Sequence, residues 1–366
     1  MGLLNQVFPE SLYITVKVDD ILFPNITSAK MQHGVNAARS FSCSFAGKEA
    51  LEHCRLGAKV EVNWGRGNAE NLVDDKKFIG IIKSLKPGTT SSSFTALDFT
   101  THLAESQYVN YKAQDYIGQD LYFAAAESCN YKGIDVSRLT RGSGIFITKD
   151  MDLFGWKTRK EFIDACFNEM KVLVNDDRHP TNTINQWQYA IRNGKVMDFF
   201  LPDPDNTLIY PAVTLSEQNK NIVDENVVSQ IDTSRIVNAI TLVSSADDKI
   251  FAQLEDFGSQ DRYGVIGKFM THPSSSKAEL ENAAYLLVNR FKEPTISYVV
   301  SLANQDSLDL GDLLEIDLPS LPKNVIKTIV NYEITFGDTI ATRYQIGQSK
   351  ISFEEYLEIL KKPTDR

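Results

Sequence analysis

The sequence predicts an α+β protein that is mainly β, in which two related small β-barrel domains flank a mixed α+β segment. Three features of the 366-residue chain indicate this architecture. Short runs of alternating apolar and polar residues fill the first domain, and apolar residues at helical spacing mark the middle. A short motif from the first β region then recurs in the last one. A chain of this length forms two or three domains of ordinary size.

The first predicted domain, residues 1–108, consists of short strands. Apolar and polar side chains alternate at residues 13–18, 41–45, 60–64, 78–85 and 93–99. Asp19 and Asp20 mark a turn, and Pro87 with Gly88 ends the fourth strand. Closely spaced strands with such punctuation are typical of small barrels and sandwiches.

The middle segment, residues 109–232, is predicted to mix helices and strands. Apolar residues recur at helical spacing over 115–130 and 158–171, and Thr158 with Glu161 forms a capping-box pattern at the start of the second helix. Strands are predicted at 171–174, 186–191 and 195–200. Asn193-Gly194 between the last two favours a tight hairpin.

The third region, residues 233–350, returns to strands with one helix. Strands are predicted at 236–243, 295–303, 313–318, 325–336 and 339–346. Ser276 is a candidate cap for a helix over 277–291, which ends before Pro294 because proline cannot continue a helix.

A helical tail is predicted at residues 351–366. One face of this helix carries the apolar side chains Phe353, Tyr356, Leu357 and Leu360. Such a face either packs against the protein or docks a partner, and these four residues are the candidate partner-docking site.

The two β regions share a repeat. Residues 56–62 (LGAKVEV) match residues 310–316 (LGDLLEI), and each copy follows an alternating strand and precedes a long strand and a returning one. Any two meandering β regions look alike to some degree. The common motif at the same place in the same strand order favours one β unit used twice.

No residue pattern in the chain predicts a catalytic, cofactor or metal site. Cysteines 43, 54, 129 and 166 form no CxxC pair, so we expect reduced and mostly buried thiols. The five histidines show no metal-ligand spacing. Asp203, Asp205 and Asn206 lack the glycine and distal glutamate of a calcium loop.

The remaining acidic and glycine motifs are predicted to be structural. The acidic pairs at 74–75, 176–177 and 247–248 fall in predicted turns, where two carboxylates rarely face one bond. Gly65-Arg66-Gly67 lacks the third glycine and the helix of a phosphate loop, so we expect a hairpin loop there.

Composition excludes several classes of protein. The chain is 42% hydrophobic and 23% charged, as soluble globular proteins are, and its net charge of -10 argues against gripping nucleic acid through phosphates. No apolar run approaches 18 residues, so no membrane span is expected. The first residues show no signal-peptide pattern either.

Three passages carry a resemblance to a known family. Residues 77–103 contain an F-x-G-x-I strand followed by Asp98 and Leu103. Residues 236–264 contain N-x-I-x-L, then a serine followed by Tyr263-Gly264. Residues 277–316 contain an Ala/Leu-rich helix, Pro294 and L-x-L-G-D-L-L-E-I. In this order they resemble phage tail baseplate hub proteins of the late-control protein D type; residues 109–232 match least.

The resemblance implies two tube-type β domains per chain, so that a homotrimer presents six similar domains. Such a ring would join a sixfold tail tube or distal tail protein to a threefold tip or spike protein. It would leave a channel for the tape-measure protein and for DNA, without sequence-specific contacts. An acidic channel wall would repel phosphates. The implied location is the virion tail, assembled in the host bacterial cytoplasm, and no enzymatic activity is expected.

Two other functions remain open from the sequence. One is a tail-tip module that binds host glycan or protein, for which Trp187 and Tyr189 are the visible aromatic candidates. The other is a tail-associated cell-wall hydrolase, which would need a dispersed active site without a local motif.

Overall fold

The fold is α+β and mainly β, as predicted. The computed structural model describes residues 12–23, 26–46, 52–66, 76–105, 109–111, 116–149, 151, 153, 155–170, 172–176, 179–185, 187–192, 194–200, 213–217, 226–274, 276–303, 308–321, 325–337 and 340–347.

The first β unit is an antiparallel sheet around an aromatic core. Its strands are β1 (Leu12–Val18), β2 (Ile21–Leu22), β3 (Ile26–Gly34), β4 (Ser40–Ala46), β5 (Lys59–Arg66), β6 (Lys76–Lys86) and β7 (Ser91–Asp98). All five predicted strands are present. β2 and β3 were not predicted, and β5 continues through Gly65 and Arg66, so the prediction of a hairpin loop at 65–67 was wrong for these two residues.

Alternation builds the core of this unit. In β4, Phe41, Cys43 and Phe45 are buried, and the residues between them are not. The rings of Phe23 and Phe45 meet edge to face with centroids 4.8 Å apart, and Phe94 packs beside both. Edge-to-face contacts of this kind add to the free energy gained from burying the rings.

The middle segment has its own core. Its elements are α1 (Thr101–Ala104), β8 (Val109–Tyr111), α2 (Leu121–Cys129), β9 (Gly155–Lys157), α3 (Arg159–Glu169), β10 (Val172–Asp176), β11 (His179–Asn185), β12 (Gln188–Arg192) and β13 (Val196–Phe200). The buried faces of α2 and α3 pack with residues of β12 and β13.

Two local predictions for this segment are confirmed. The capping box of α3 is complete, because Glu161 N donates to Thr158 Oγ1 at 3.1 Å and Thr158 N donates to Glu161 Oε2 at 2.8 Å. β12 and β13 form the expected antiparallel hairpin, with Gly194 at φ +81° beside the turn.

In the sequence, the strands of the second β unit come before and after a small α/β lobe. The bounds, in chain order, are β14 (Val213–Ser216), β15 (Val227–Asp232), β16 (Ala239–Ser244), β17 (Phe251–Glu255), α4 (Phe257–Tyr263), β18 (Gly267–His272), α5 (Lys277–Phe291), β19 (Thr295–Ala303), β20 (Leu313–Asp317), β21 (Val325–Phe336) and β22 (Ile340–Ile346). β16, β17 and β18 form the sheet of the lobe, and α5 packs against it. The remaining six strands join the second β unit.

Three expectations for this region need correction. The predicted strand 236–243 begins only at Ala239, because the Asn238 side chain donates to Gly264 O and accepts from Ile266 N. The lobe holds a second helix, α4, within the resemblance passage 236–264. α5 has the predicted bounds, but the Ser276 side chain makes no cap hydrogen bond.

Candidate assembly interface

The two β units repeat one strand order. The first runs β3-β4-β7-β6-β5, and the second runs β15-β19-β22-β21-β20. Every neighbouring pair in both runs is antiparallel. The repeat seen in one sequence motif therefore extends over five strands of each unit.

The repeat holds down to single hydrogen bonds. Gly57 N donates to Ile82 O at 2.8 Å, and Gly311 N donates to Ile329 O at 2.9 Å. Both glycines have φ +85°. The register of each long strand then shifts just after the isoleucine, between Ile82 and Ser84 in β6 and between Ile329 and Asn331 in β21. These matches fix which residue of one unit corresponds to which residue of the other.

One strand pair joins the two units into a continuous sheet. β3 of the first unit pairs antiparallel with the second half of β21, from Gly34 opposite Asn331 to Ala29 opposite Phe336. Met31 and Ile334 lie opposite each other in this pairing, and both are buried in the core that the two units share. We call this strand pair the junction.

In the described part of the chain, two strand segments of the continuous sheet keep one edge without a partner strand. Among the described residues, β15 pairs only with β19, and residues 83–86 of β6 pair only with β7. Val228 and Ile231 of β15 are 54% and 62% exposed. We call β15 and residues 83–86 of β6 the outer edges. Exposed strand edges are templates for pairing with another chain.

A buried polar cluster lies under the junction. The rings of His33 and Tyr332 meet edge to face with centroids 5.5 Å apart, and His33 Nδ1 lies 3.4 Å from Tyr332 Oη. Burial lowers the pKa of His33, and the charge of Arg39 acts in the same direction against the opposing effects of Asp309 and Asp98. His33 is therefore neutral near pH 7.

Asp98, which belongs to one of the resemblance passages, is a structural acceptor in this cluster. Its carboxylate accepts hydrogen bonds from Arg39 N at 2.9 Å, Thr100 N at 3.0 Å and Thr100 Oγ1 at 2.5 Å. The Arg39 guanidinium lies over the ring of Phe78, 5.5 Å from its centroid. These contacts fix the end of β7 against the start of β4.

The sheet face opposite the core is rich in hydroxyl groups. Around the junction it carries Ser42, Ser44, Thr95, Ser301 and Thr335. Its charged side chains on β3, β21 and β22 are Lys30, Glu333 and Arg343. We call this surface the open face.

The negative charge of Glu333 on the open face is paired with a basic side chain. Lys30 Nζ lies 2.9 Å from Glu333 Oε2, and Gln32 Nε2 donates to the same oxygen at 2.7 Å. Partial burial alone would raise the pKa of Glu333, but these hydrogen bonds outweigh it and lower the pKa. The pair is exposed, so its contribution to stability is small.

The candidate sites from the sequence fall in different places. Phe353, Tyr356, Leu357 and Leu360 lie outside the described residues, as do Asp203, Asp205 and Asn206. Tyr189 is buried and Trp187 packs against Tyr122, so the two aromatic candidates for host binding are core residues.

The four cysteines are free and buried, as predicted. Burial raises the pKa of Cys54 to about 11 and that of Cys43 to about 12. Within the described part of the chain, no group of acidic, histidine and cysteine side chains could hold a metal ion. The helices described there are all too short or too polar to cross a bilayer.

The sequence prediction found one strand of the junction, β21, and one outer-edge strand, β6, but missed the other two. β3 and β15 were not predicted as strands. The available signal was the alternation of Ala29, Met31 and His33 with polar residues in β3, and of Val227 with Ile231 in β15.

Two solved structures share this fold over almost their whole length. The tail protein from Neisseria meningitidis MC58 is 12% identical and superposes with a TM-score of 0.62, covering 94% of this chain and 99% of that one. The 43 kDa tail protein of prophage MuSo2 from Shewanella oneidensis is 11% identical, with a TM-score of 0.60 over 94% and 99%. The sequence matches no protein-family model and no curated protein. The chain thus has the fold of prophage and related tail proteins.

Proposed function

We propose that this chain is the structural hub of a phage-type tail baseplate or tail tip. Three copies form a ring that adapts the sixfold tail tube to a threefold tip or spike. The observation that carries this proposal is the junction, through which β3 and β21 join two equivalent β units edge to edge.

The junction determines the symmetry of the proposed ring. A ring of three chains with two equivalent units each presents six similar units around one axis, while its true symmetry is threefold. One end can therefore match a sixfold tube through what the units share. The other end can match a threefold tip through what distinguishes them, such as the α/β lobe inserted only in the second unit.

The open face is the surface that would line the channel. The core of both units lies on the opposite face of the sheet, and the outside of a closed ring has more room for it. Hydroxyl groups and a neutralised Glu333 would then form the wall near the junction, instead of the acidic wall expected from the net charge. DNA or an extended tape-measure protein would slide along such a wall without strong contacts.

The proposed partners are copies of this chain, the tail tube or distal tail protein, the tip or spike protein and the tape-measure protein, all within the virion tail. Residues Phe353, Tyr356, Leu357 and Leu360 are proposed to dock one of them. The role is structural and non-enzymatic. Tyr189 is buried and Trp187 is partly buried against the core, so neither supports a host-binding module.

Light scattering on the purified chain tests the proposal. We expect a mass of three chains, either for the protein alone or once the tube and tip proteins from the same tail cluster are added. Negative-stain images should then show a ring with a central hole. A chain that stays monomeric at high concentration with both neighbours present would contradict the ring. Clearing of a cell-wall gel by the pure protein would support a hydrolase instead.

A further inference from the structure

We propose that the ring closes by strand addition between copies of this chain, and this inference rests on the proposed function. The outer edge of β15 in one protomer pairs antiparallel with residues 83–86 of β6 in the next. The contact repeats, between protomers, the junction that β3 and β21 make within each chain.

Corresponding positions in the two units identify these strands as partners. β15 pairs with β19 as β3 pairs with β4, because Ser229 opposite Tyr298 corresponds to Met31 opposite Phe41. The second half of β6 pairs with β7 as the second half of β21 pairs with β22. Within one chain, therefore, β3 pairs with β21, while their counterparts β15 and β6 each keep an outer edge.

The same correspondence predicts the register between protomers. Tyr332 corresponds to Leu85, and His33 corresponds to Ile231. Because Tyr332 lies opposite His33 in the junction, Leu85 of one copy lies opposite Ile231 of the next. By the same step, Ser84 lies opposite Asp232 and Lys86 lies opposite Gln230. Pro87 ends this edge, since proline has no N–H to donate.

The side chains at the outer edges fit this pairing. Ile231 corresponds to His33 of the other unit. His33 is buried in the junction, whereas Ile231 is 62% exposed in the single chain. Leu85 is only partly buried and packs at the margin of the core. Pairing would bring these two apolar side chains together on the core side, as His33 and Tyr332 are brought together in the junction.

A second copy of this chain is the occupant that the geometry favours. Pairing β15 with residues 83–86 uses two different edges, so each added copy leaves one edge for the next, and a ring results when the rotation closes. Pairing of β15 with β15 would instead stop at a dimer. It would also leave the edge of β6 open and would repeat no contact found within the chain.

Paired cysteines test the register. We would compare the double variant Leu85→Cys with Ile231→Cys against the double variant Lys86→Cys with Ile231→Cys. Directly opposite Cβ atoms lie about 4.5–5.5 Å apart, close to disulfide range, whereas a shift by one residue moves the side chain to the other face. The native cysteines are all buried and free, so they give little background.

We expect the matched pair to give disulfide-linked dimers and trimers on a non-reducing gel after mild oxidation, and the shifted pair to give few. A trimer by mass that cross-links through neither pair, or through the shifted pair, would overturn the strand pairing while the trimeric hub stands. Linked dimers from Ile231→Cys alone would mean that β15 pairs with itself. A chain that forms no trimer in any variant would overturn the proposed function as well.

A charge at the edge provides a second readout that does not depend on oxidation. Ile231→Lys should raise the concentration needed for assembly by about tenfold, because it places an ammonium opposite Leu85. Ile231→Val is the matched control and should assemble as the parent does. Since Ile231 is exposed in the single chain, both variants should show the parent's unfolding temperature as monomers. Normal assembly of Ile231→Lys would overturn the proposed edge.

Discussion

His33 links the chemistry of one residue to the joint between the two β units. It is buried, its Nε2 has no hydrogen-bond partner among the described residues, and Arg39, Asp98, Asp309 and Tyr332 surround it. A protonated imidazole there would have to share a desolvated site with Arg39. The junction is therefore built for the neutral form of His33.

This environment predicts an acid-sensitive stability. The pKa of His33 is lowered in the folded chain, whereas in the unfolded chain it is about 6.5. Below that pH the unfolded state binds more protons, so the contribution of neutral His33 is fully present above about pH 6.5 and is lost as the pH falls toward the folded pKa. We expect the free energy of unfolding, measured with urea, to fall more steeply between about pH 6.5 and 5 in the parent than in His33→Gln.

The limit on this effect is the titration of one proton, about 1.4 kcal/mol for each pH unit. His53 is exposed, and His53→Gln is the matched control that should keep the parent's pH profile. Carboxylates away from His33 titrate in all three proteins and cancel in the comparison. Asp309 belongs to the effect itself, because burial raises its pKa and the interaction with His33 lowers it. Parallel pH profiles for His33→Gln and the parent would show that the junction tolerates the charged imidazole.

At the scale of elements, the repeated turn before β5 and β20 offers a matched experiment. Gly57 and Gly311 both have φ +85°, a conformation that costs other residues about 1–2 kcal/mol. A Cβ added at Gly57 meets nothing within 4 Å, whereas at Gly311 it would lie 2.9 Å from the Phe200 ring. The two turns thus share the backbone strain but differ in the space around them.

We therefore expect Gly57→Ala to lower the free energy of unfolding by about 1–2 kcal/mol, and Gly311→Ala to lower it by about 1–3 kcal/mol more. Chemical denaturation of both variants measures the difference. Gly267→Ala is the control, because its added Cβ makes only ordinary contacts at 3.8 Å, and we expect a change within about 0.5 kcal/mol. Equal losses at Gly57 and Gly311 would mean that Phe200 moves aside without cost.

Elements with a strong periodic signal were predictable, including β6 and β21, whereas β3 and β15 were not. α5 matches its predicted bounds because a long apolar stripe and Pro294 define it. The core-facing side chains of β3 are Ala29, Met31 and His33, of which only methionine is strongly apolar. β15 is short and exposed on both faces in the single chain. A strand at the edge of its own β unit packs on less of the core. Its apolar and polar side chains therefore alternate less clearly than those of a central strand.

For the molecule as a whole, the repeat was predictable, but the pairing of its two copies into one sheet was not. The shared motif at residues 56–62 and 310–316 indicated one β unit used twice. That the copies join through β3 and β21 depends on pairing between residues about 300 positions apart, which no local pattern encodes. The same holds for the open face, since the chain's net charge of -10 does not show which side chains lie near the junction.

The net charge bears on the proposed assembly, because each chain would bring a charge of -10 to a trimer. Two such charges about 40 Å apart repel by about 10 kcal/mol in pure water, and salt screens this over a Debye length of about 30 Å at 0.01 M and 8 Å at 0.15 M. Exposed ion pairs across the outer edges contribute at most about 1 kcal/mol each, so the long-range repulsion dominates at low salt.

We therefore expect added salt to promote formation of the proposed trimer. Raising NaCl from about 0.01 to 0.15 M should lower the concentration needed for assembly by at least about tenfold, as measured by light scattering across a dilution series. Lys86→Gln is the control, since it removes the basic group nearest the predicted contact and should leave the direction of the salt response unchanged. Trimers that dissociate as salt rises in the parent, but not in Lys86→Gln, would mean that an ion pair of Lys86 holds the ring, and the apolar pairing of Leu85 with Ile231 would then be secondary.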